Sequence, residues 1–163
     1  MSPSSPSSPA TGDASPKGDP PGFVRVLDDK TILIPDRVGN NRVDSMQNVL
    51  ADPRVALLCF LPGLNETLRI NGRAEITADP ELLAPSAVRG KAPKTGLVVH
   101  IDEVFMHCAN AVLRAHLWDP AHHIDRAQFP PIGQVYADHI GRSEEGEAIE
   151  KLYAATHNDA VLY

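Results

Sequence analysis

SPKGDPPGFVRVLDDKTILIPDRVGNNRVDSMQNVLADPR, the stretch from Ser15 to Arg54, contains the local signals that decide the fold. It opens with two short runs of apolar and β-branched residues, Phe23–Leu27 and Thr31–Ile34, which are typical of strands. The residues between them, Asp28-Asp29-Lys30, are polar and suit a tight turn. The stretch therefore predicts an antiparallel hairpin at the start of the folded part of the chain.

A polar loop rich in Asn, Arg, Asp and Ser follows the hairpin. It leads into a helix predicted at Ser45–Ala51, with Asp44 as its N-cap and Asp52-Pro53 as its end. At a helix N-terminus, backbone N–H groups and the positive end of the helix dipole can hold an anion. The loop thus predicts a phosphate site, and with it a phosphorylated cofactor. The alternative is that Asn41 and Asp44 only cap the helix while Arg42 is a solvated surface charge.

The rest of the chain favours strands with helices at their ends. Val55–Leu61 is a continuous apolar run and predicts a central strand covered on both faces. Thr67–Ile76 alternates between apolar and polar residues, which predicts one buried face, with Gly72 at a bulge or beside a ligand. A further strand is predicted at Leu97–Ile101, and helices near Asp79-Pro80, at His107–Leu117 and at Gly146–Thr156. This pattern fits a small barrel better than a parallel sheet with crossover helices.

Composition predicts a soluble, cytoplasmic protein. Residues 1–14 are rich in Ser and Pro and predict a disordered tail, which leaves residues 15–163 as one domain. A net charge of -6 argues against a nucleic-acid surface. The sequence has neither a secretory signal nor a run of about 18 apolar residues that could span a membrane. Cys59 and Cys108, both in apolar surroundings, are predicted to be small core thiols of a reducing compartment.

The histidines do not predict a metal site. His122, His123 and Asp125 are close in sequence, but neighbouring residues seldom converge on one ion, and no two histidines have the four-residue spacing of helical ligands. The sequence also has no GxGxxG motif, no Walker loop and no GxSxG motif. No metal ligand and no catalytic side chain are therefore predicted from the residues.

Five segments, in this order, resemble the FMN-dependent pyridoxamine 5'-phosphate oxidase-like family, and within it the predicted flavin-nucleotide-binding branch. The resemblance implies a split β-barrel, a homodimer with FMN held at its interface, and an oxidoreductase acting on a small-molecule substrate of unknown identity. FAD and the deazaflavin F420 are less expected cofactors. The segments are SPKGDPPGFVRVLDD, IPDRVGNNRVDSMQNVL, DPRVALLCFLPG, TLRINGRAEIT and HCANAVLRAHLWDP.

The resemblance also implies where a flavin would bind. Its phosphate would lie at the loop and helix start near residues 41–45, and its ring beside the main chain of residues 15–19. Arg73 could instead decorate the barrel exterior, and Trp118 could instead be a core residue. The cofactor-binding residues implied by the resemblance are Ser15, Lys17, Asn41, Arg42, Ser45, Arg73 and Trp118.

One departure from the family concerns the N-terminal region. Members usually have a helix and a first barrel strand before the SPKGDPPGF segment, whereas this chain has its Ser/Pro-rich tail there. The barrel is therefore expected to lack its first strand. Two other functions stay open: a flavin-binding protein without catalysis, and a degenerate split-barrel dimerisation module without cofactor.

Overall fold

A computed structural model of the chain describes residues 12–39 and 43–156. The contacts between residues divide the chain into two compact units, Met1–Ala109 and Asn110–Tyr163. The first unit contains the sheet and the second is helical. The predicted division into a tail at residues 1–14 and one domain from residue 15 onwards stays a prediction.

The first unit is built on a five-stranded antiparallel sheet with the strand order β1-β2-β5-β4-β3. The mainly β class with flanking helices is thereby confirmed, whereas a barrel that lacks its first strand stays a prediction. The strands are β1 Arg25–Asp28, β2 Thr31–Pro35, β3 Arg54–Cys59, β4 Thr67–Thr77 and β5 Gly96–His107. The helices are α1 Asp44–Ala51 and α2 Pro80–Leu83, the latter followed by a 3-10 turn at Ala84–Ser86.

The predicted hairpin is present as β1 and β2. Arg25 lies opposite Leu33, and the Asp28 carboxylate accepts a hydrogen bond from the backbone N–H of Lys30 at 2.8 Å. An aspartate that hydrogen-bonds two residues onwards stabilises a tight turn without requiring glycine. The local sequence therefore determines both this connection and its register.

Alternation along the strands gives the sheet two apolar faces. One face packs against α1 through Val49 and includes Ile70 and Val99. The opposite face packs against α2 through Leu83, which contacts a smaller cluster with Leu33 and Val98. Burying one such side chain completely contributes about 1.5–3 kcal/mol. The two faces together fix the order of the central strands β2, β5 and β4.

A bulge between β4 and β5 explains why residue 72 is glycine. The register shifts between Asn71 and Gly72, which lie opposite Glu103 and Ile101. A Cβ atom at Gly72 would lie 2.2 Å from the carbonyl oxygen of His100. The predicted bulge is confirmed, and the close neighbour is the backbone of β5.

β3 is not the central strand that its apolar run predicted. Within the described residues it is the last strand of the sheet and pairs only with β4. Its side chains alternate between half-buried and exposed, and Leu58 is 54% exposed. The prediction was wrong because an apolar run shows that residues favour a strand, while the number of neighbouring strands depends on distant segments.

The start of α1 also differs from the prediction. Its N-cap is Val43, which makes no side-chain capping bond, and Asp44 is the first helical residue. Asp44 still places a negative charge in the first turn, where it stabilises the helix dipole. The C-terminal end is as predicted, with Asp52 in extended conformation before Pro53.

The second unit contains three helices within its described residues: α3 Asn110–Arg114, α4 Ile132–His139 and α5 Gly146–Thr156. The predicted helix at Gly146–Thr156 is confirmed. The predicted helix at His107–Leu117 was wrong at both ends, because β5 continues to His107 and His116 has a left-handed backbone with φ 48°. Gly133 allows α4 and α5 to pack closely, since a Cβ there would lie 2.3 Å from Glu150 N.

The two cysteines differ in burial, although both are predicted to be core thiols. Cys59 is half-buried and its burial raises the pKa of its thiol, but Cys108 is exposed rather than buried in the core. Cys108 follows the end of β5, where the chain leaves the sheet. Among the helices that the structure describes, none is long and apolar enough to cross a membrane.

Candidate functional site

The segment before β1 lies beside the segment that joins β2 to α1. Because the two segments are 18 to 32 residues apart in sequence, their contacts are tertiary. Every one of these contacts involves an aspartate, and the partners are a hydroxyl, an ammonium and a guanidinium group. The contacts are Asp13–Ser45 at 2.6 Å, Lys17–Asp36 at 3.4 Å and Asp19–Arg37 at 2.5 Å.

The first contact places a carboxylate at the first turn of α1. The Ser45 hydroxyl donates to Asp13, and this bond, followed by one from the Asn48 side chain, lowers the pKa of Asp13 below its usual value. The first N–H groups of a helix have no acceptor within the helix, and the dipole favours negative charge there. The Asp13 carboxylate therefore lies at the end of α1 where the helix dipole favours negative charge.

The second contact, between Lys17 and Asp36, is exposed and weak. The side chains of Lys17 and Asp36 are 35% and 29% exposed, and such pairs contribute at most about 1 kcal/mol. The backbone N–H of Asp36 donates to Thr95 O at 2.9 Å, so the carboxylate is the better anchored partner. The Lys17–Asp36 pair therefore contributes little to the stability of the fold.

The third contact is buried and holds the loop after it. The Asp19 side chain is 2% exposed, and Arg37 also donates from its terminal nitrogen to Ser86 O at 2.6 Å. The loop that follows is closed by a hydrogen bond from Phe23 N to Pro20 O at 3.2 Å. Removal of either charge would leave the other buried without this ion pair, which is destabilising.

A cleft of about 420 Å³ lies beside this loop. Ser86 is 8% exposed, and among the described residues its hydroxyl has no hydrogen-bond partner. Arg25 also lines the cleft and donates to Leu82 O at 2.6 Å. Apolar walls with a few polar groups are typical of small-molecule sites. The apolar lining includes Pro20, Pro21, Phe23, Pro85 and Val88.

The structure brings some of the predicted site residues together and separates others. Ser45 and Lys17 belong to the paired segments just described, and Ser15 lies exposed between Asp13 and Lys17. Arg73 is exposed opposite Arg54, on the sheet face away from α1. Trp118 is half-buried in the second unit. Asn41 and Arg42 lie outside the described residues.

Sequence reasoning missed Asp13, which pairs with Ser45, and the buried pair of Asp19 and Arg37. Asp13 was assigned to a disordered tail, and Asp19 and Arg37 were not singled out. No spacing could have revealed contacts over 18 or 32 residues. The alternating charges within SPKGD and IPDR are the one local signal for such pairing.

Comparisons with known proteins were made for the whole chain. Among curated proteins, no sequence matches the chain. Two solved structures of tagged HupZ from group A Streptococcus are similar over 52% of this chain, one at 18% identity and the other, a form with one histidine replaced by alanine, at 17%. Both have a TM-score of 0.43, and the similar regions cover 68% and 73% of those chains.

The family itself is shown by a sequence match. The family model described as pyridoxamine 5'-phosphate oxidase matches residues 7–108. These residues include the paired segments, α1, the cleft and the whole sheet. Because the match spans more than half of the chain, the chain belongs to the pyridoxamine 5'-phosphate oxidase family.

Proposed function

We propose that this chain is an FMN-dependent oxidoreductase that acts as a homodimer on a small-molecule substrate. The observation that carries the proposal is the Asp13 carboxylate held by Ser45 at the first turn of α1. A turn that holds one anion has the donors and the dipole that a phosphate monoester requires. Membership of the pyridoxamine 5'-phosphate oxidase family makes a flavin the expected owner of that phosphate.

The residues around this turn fit a phosphate chemically. The hydroxyl of Ser45 and the amide of Asn48 can donate hydrogen bonds to phosphate oxygens as they do to Asp13. Asn41 and Arg42 directly precede the helix in sequence, and an arginine can bind phosphate through two parallel charge-assisted bonds. We assign phosphate binding to Asn41, Arg42 and Ser45.

We assign the flavin ring to the segment that begins at Ser15. When bound, FMN supplies the hydride or electron transfer, and the protein supplies position and electrostatics. The ammonium group of Lys17 can leave its exposed pair with Asp36 and place a positive charge at the polar edge of a ligand. Arg73 and Trp118 complete the proposed set on the strength of the family resemblance alone.

We assign the substrate to the cleft beside the same segment. Arg25 offers a guanidinium group to a polar substituent, and Phe23 with the surrounding prolines excludes water from its apolar part. The buried pair of Asp19 and Arg37 keeps the loop in position. In this proposal these residues bind and orient, and none of them transfers a proton.

The homodimer is supported by exposed apolar residues in β3 and in the segment that follows it. Leu58, Phe60, Leu61 and Leu64 follow one another closely in sequence and are 54%, 49%, 50% and 49% exposed. Several large apolar side chains exposed close together are typical of a protein–protein interface. A second copy of the chain is the occupant that the family resemblance implies.

The phosphate assignment is tested by two substitutions with opposite expected signs. Ser45→Ala removes a donor and should weaken FMN binding about ten- to hundred-fold, as loss of a hydrogen bond to a charged group does. Asp13→Ala removes a competing negative charge and should strengthen binding several-fold. Flavin fluorescence titration of the full chain measures both dissociation constants. Equal effects of the same sign would contradict the assignment.

Turnover is tested after binding. Protein that retains flavin through desalting should show the flavin absorption bands and should bleach when it is mixed anaerobically with a reduced nicotinamide donor or another reduced donor. Retained flavin that no donor reduces would favour the non-catalytic flavin-binding function instead. Folded protein that retains no flavin would favour the dimerisation module.

A further inference from the structure

A loop in the second unit gathers two histidines and an aspartate at intervals of three residues. The backbone N–H of Asp119 donates to His116 O at 3.0 Å, and that of His122 donates to Asp119 O at 3.0 Å. Turns with this three-residue hydrogen bonding place side chains i and i+3 directly above one another. His116, Asp119 and His122 therefore lie on the same side of the loop.

The three side chains are in contact. The rings of His116 and His122 stack with centroids 4.0 Å apart and an angle of 9° between their planes. His122 Nδ1 lies 3.0 Å from Asp119 Oδ2. One nitrogen from each ring and one carboxylate oxygen lie within 4.8 Å of one another. Ligands bound to one zinc ion at about 2.1 Å are about 3.4 Å apart, so small side-chain rotations would suffice.

The backbone holds two of these residues in position. His116 has φ 48°, in the left-handed region, where a residue with a side chain is strained. The second oxygen of Asp119, Oδ1, accepts a hydrogen bond from Ala121 N at 2.9 Å. That bond fixes the carboxylate and directs Oδ2 towards His122. Backbone strain at one member and a fixed orientation at another are features that recur at functional sites.

We propose that His116, Asp119 and His122 form a binding site for a divalent transition-metal ion, with zinc as the representative ion. Imidazole and carboxylate ligands suit this class of metal, and three protein ligands leave at least one position for water. The bond between His122 and Asp119 is exchanged for coordination when the ion binds. The site lies wholly within the second unit and does not depend on the flavin proposal.

Neighbouring histidines supply the controls. His123 adjoins the site in sequence, but its Nε2 lies 3.1 Å from Leu117 O, so it is engaged elsewhere. His139 is exposed at the end of α4. His123→Ala and His139→Ala each remove one imidazole and should leave the affinity for zinc unchanged within about twofold. They separate a specific site from general binding by surface histidines.

The experiment is a zinc titration of the full chain, freed of any affinity tag and treated with a chelator. Isothermal titration calorimetry should give one equivalent of Zn²⁺ per chain. Trp118, the only tryptophan, lies between the first two ligands in sequence, so its fluorescence should change over the same titration. A flat titration of the wild-type chain would overturn the proposal.

Three variants localise the bound ion. His116→Gly removes the ring and relieves the left-handed backbone, so it keeps the fold while zinc affinity falls at least tenfold. His122→Ala should have an effect of similar size. Asp119→Asn keeps an oxygen for the Ala121 bond but loses the negative charge, and should weaken binding by a smaller factor. Wild-type affinity in both histidine variants, with circular dichroism unchanged, would overturn the site.

Discussion

The strands β2 and β3 are almost equally apolar, yet their surroundings are opposite. In β2 the residues Ile32, Leu33 and Ile34 are 5%, 0% and 5% exposed, whereas in β3 Leu58 is 54% exposed. β2 lies between β1 and β5, while β3 pairs only with β4 as far as the described residues extend. Similar composition thus produces a strand buried on both faces in one place and a strand with one open face in another.

The difference bears directly on function. A strand that is covered on both faces contributes to the stability of the unit. An apolar strand with an open face is available for association, and exposed sheet edges are the usual place for it. β2 therefore belongs to the core, and we place the homodimer contact at β3.

Truncating one leucine in each strand tests whether β2 and β3 differ in burial. Leu33→Ala should lower the free energy of unfolding by about 3–5 kcal/mol, since the fully buried side chain leaves a cavity. Leu58→Ala should cost less than about 1 kcal/mol in a monomer, because surface substitutions have small effects. Urea unfolding with unchanged slope measures both values. Equal losses at protein concentrations that keep the chain monomeric would mean that the two strands do not differ in this way.

β5 and β4 lie between β2 and β3 in the sheet, and a substitution at Gly72 tests how closely they pair. Gly72→Ala should destabilise the unit by about 1–3 kcal/mol, because its Cβ would lie 2.2 Å from His100 O and the bulge would have to shift. Gly18→Ala is the matched control, since a Cβ at Gly18 meets no atom within 4 Å. Thermal unfolding of both variants measures the difference. A stable Gly72→Ala variant would show that β4 and β5 can separate without cost.

A charge introduced on β3 tests whether this strand forms the homodimer contact. Leu58→Glu should weaken self-association at least tenfold, about 1.4 kcal/mol, because the carboxylate would lose hydration in an apolar contact. Val26→Glu is the control on β1, where Val26 is 75% exposed at the opposite end of the sheet. Sedimentation equilibrium of the three proteins measures the dissociation constants. Equal weakening by the two substitutions would move the contact away from β3.

Local patterns predicted the fold well wherever the deciding interactions are local. The hairpin follows from the Asp28 turn, the helix at Gly146–Thr156 has the predicted bounds, and the bulge lies at Gly72. The position of β3 and the length of α3 were missed. Strand order and the point where β5 ends depend on pairing between segments tens of residues apart, which no local pattern encodes.

In the candidate site, too, local signals were visible in the sequence and contacts between distant segments were not. Ser45 was singled out because a polar loop before a helix is a local signal, and its role in phosphate binding stays a prediction. Its partner Asp13 could not, because the contact spans 32 residues. The metal site that we propose at His116, Asp119 and His122 differs from the pattern used in the sequence analysis, because its residues are spaced by three, whereas helical histidine ligands are spaced by four.

The smallest expected effect is a shift in the pKa of Asp13. The Ser45 hydrogen bond lowers the pKa of Asp13 below 3.8, so the contact stabilises the fold above that pH and is lost as the pH falls through the lower, folded-state pKa. Ser45→Ala should return the pKa of Asp13 towards its usual value, as measured by NMR of the carboxyl carbons. Asp52, whose pKa Arg54 lowers to about 2, should not change and serves as the internal control.

The result matters because Asp13 reports on the same turn of α1 to which we assign a phosphate. If Ser45→Ala leaves the pKa of Asp13 low, other donors hold the Asp13 carboxylate. The phosphate assignment then loses the observation that supports it. If the pKa rises and Asp52 stays fixed, the hydroxyl of Ser45 is the donor that discriminates a charged from a neutral ligand. FMN added to the wild-type chain should then displace Asp13 and raise its pKa in the same way, since a released carboxylate no longer accepts that hydrogen bond.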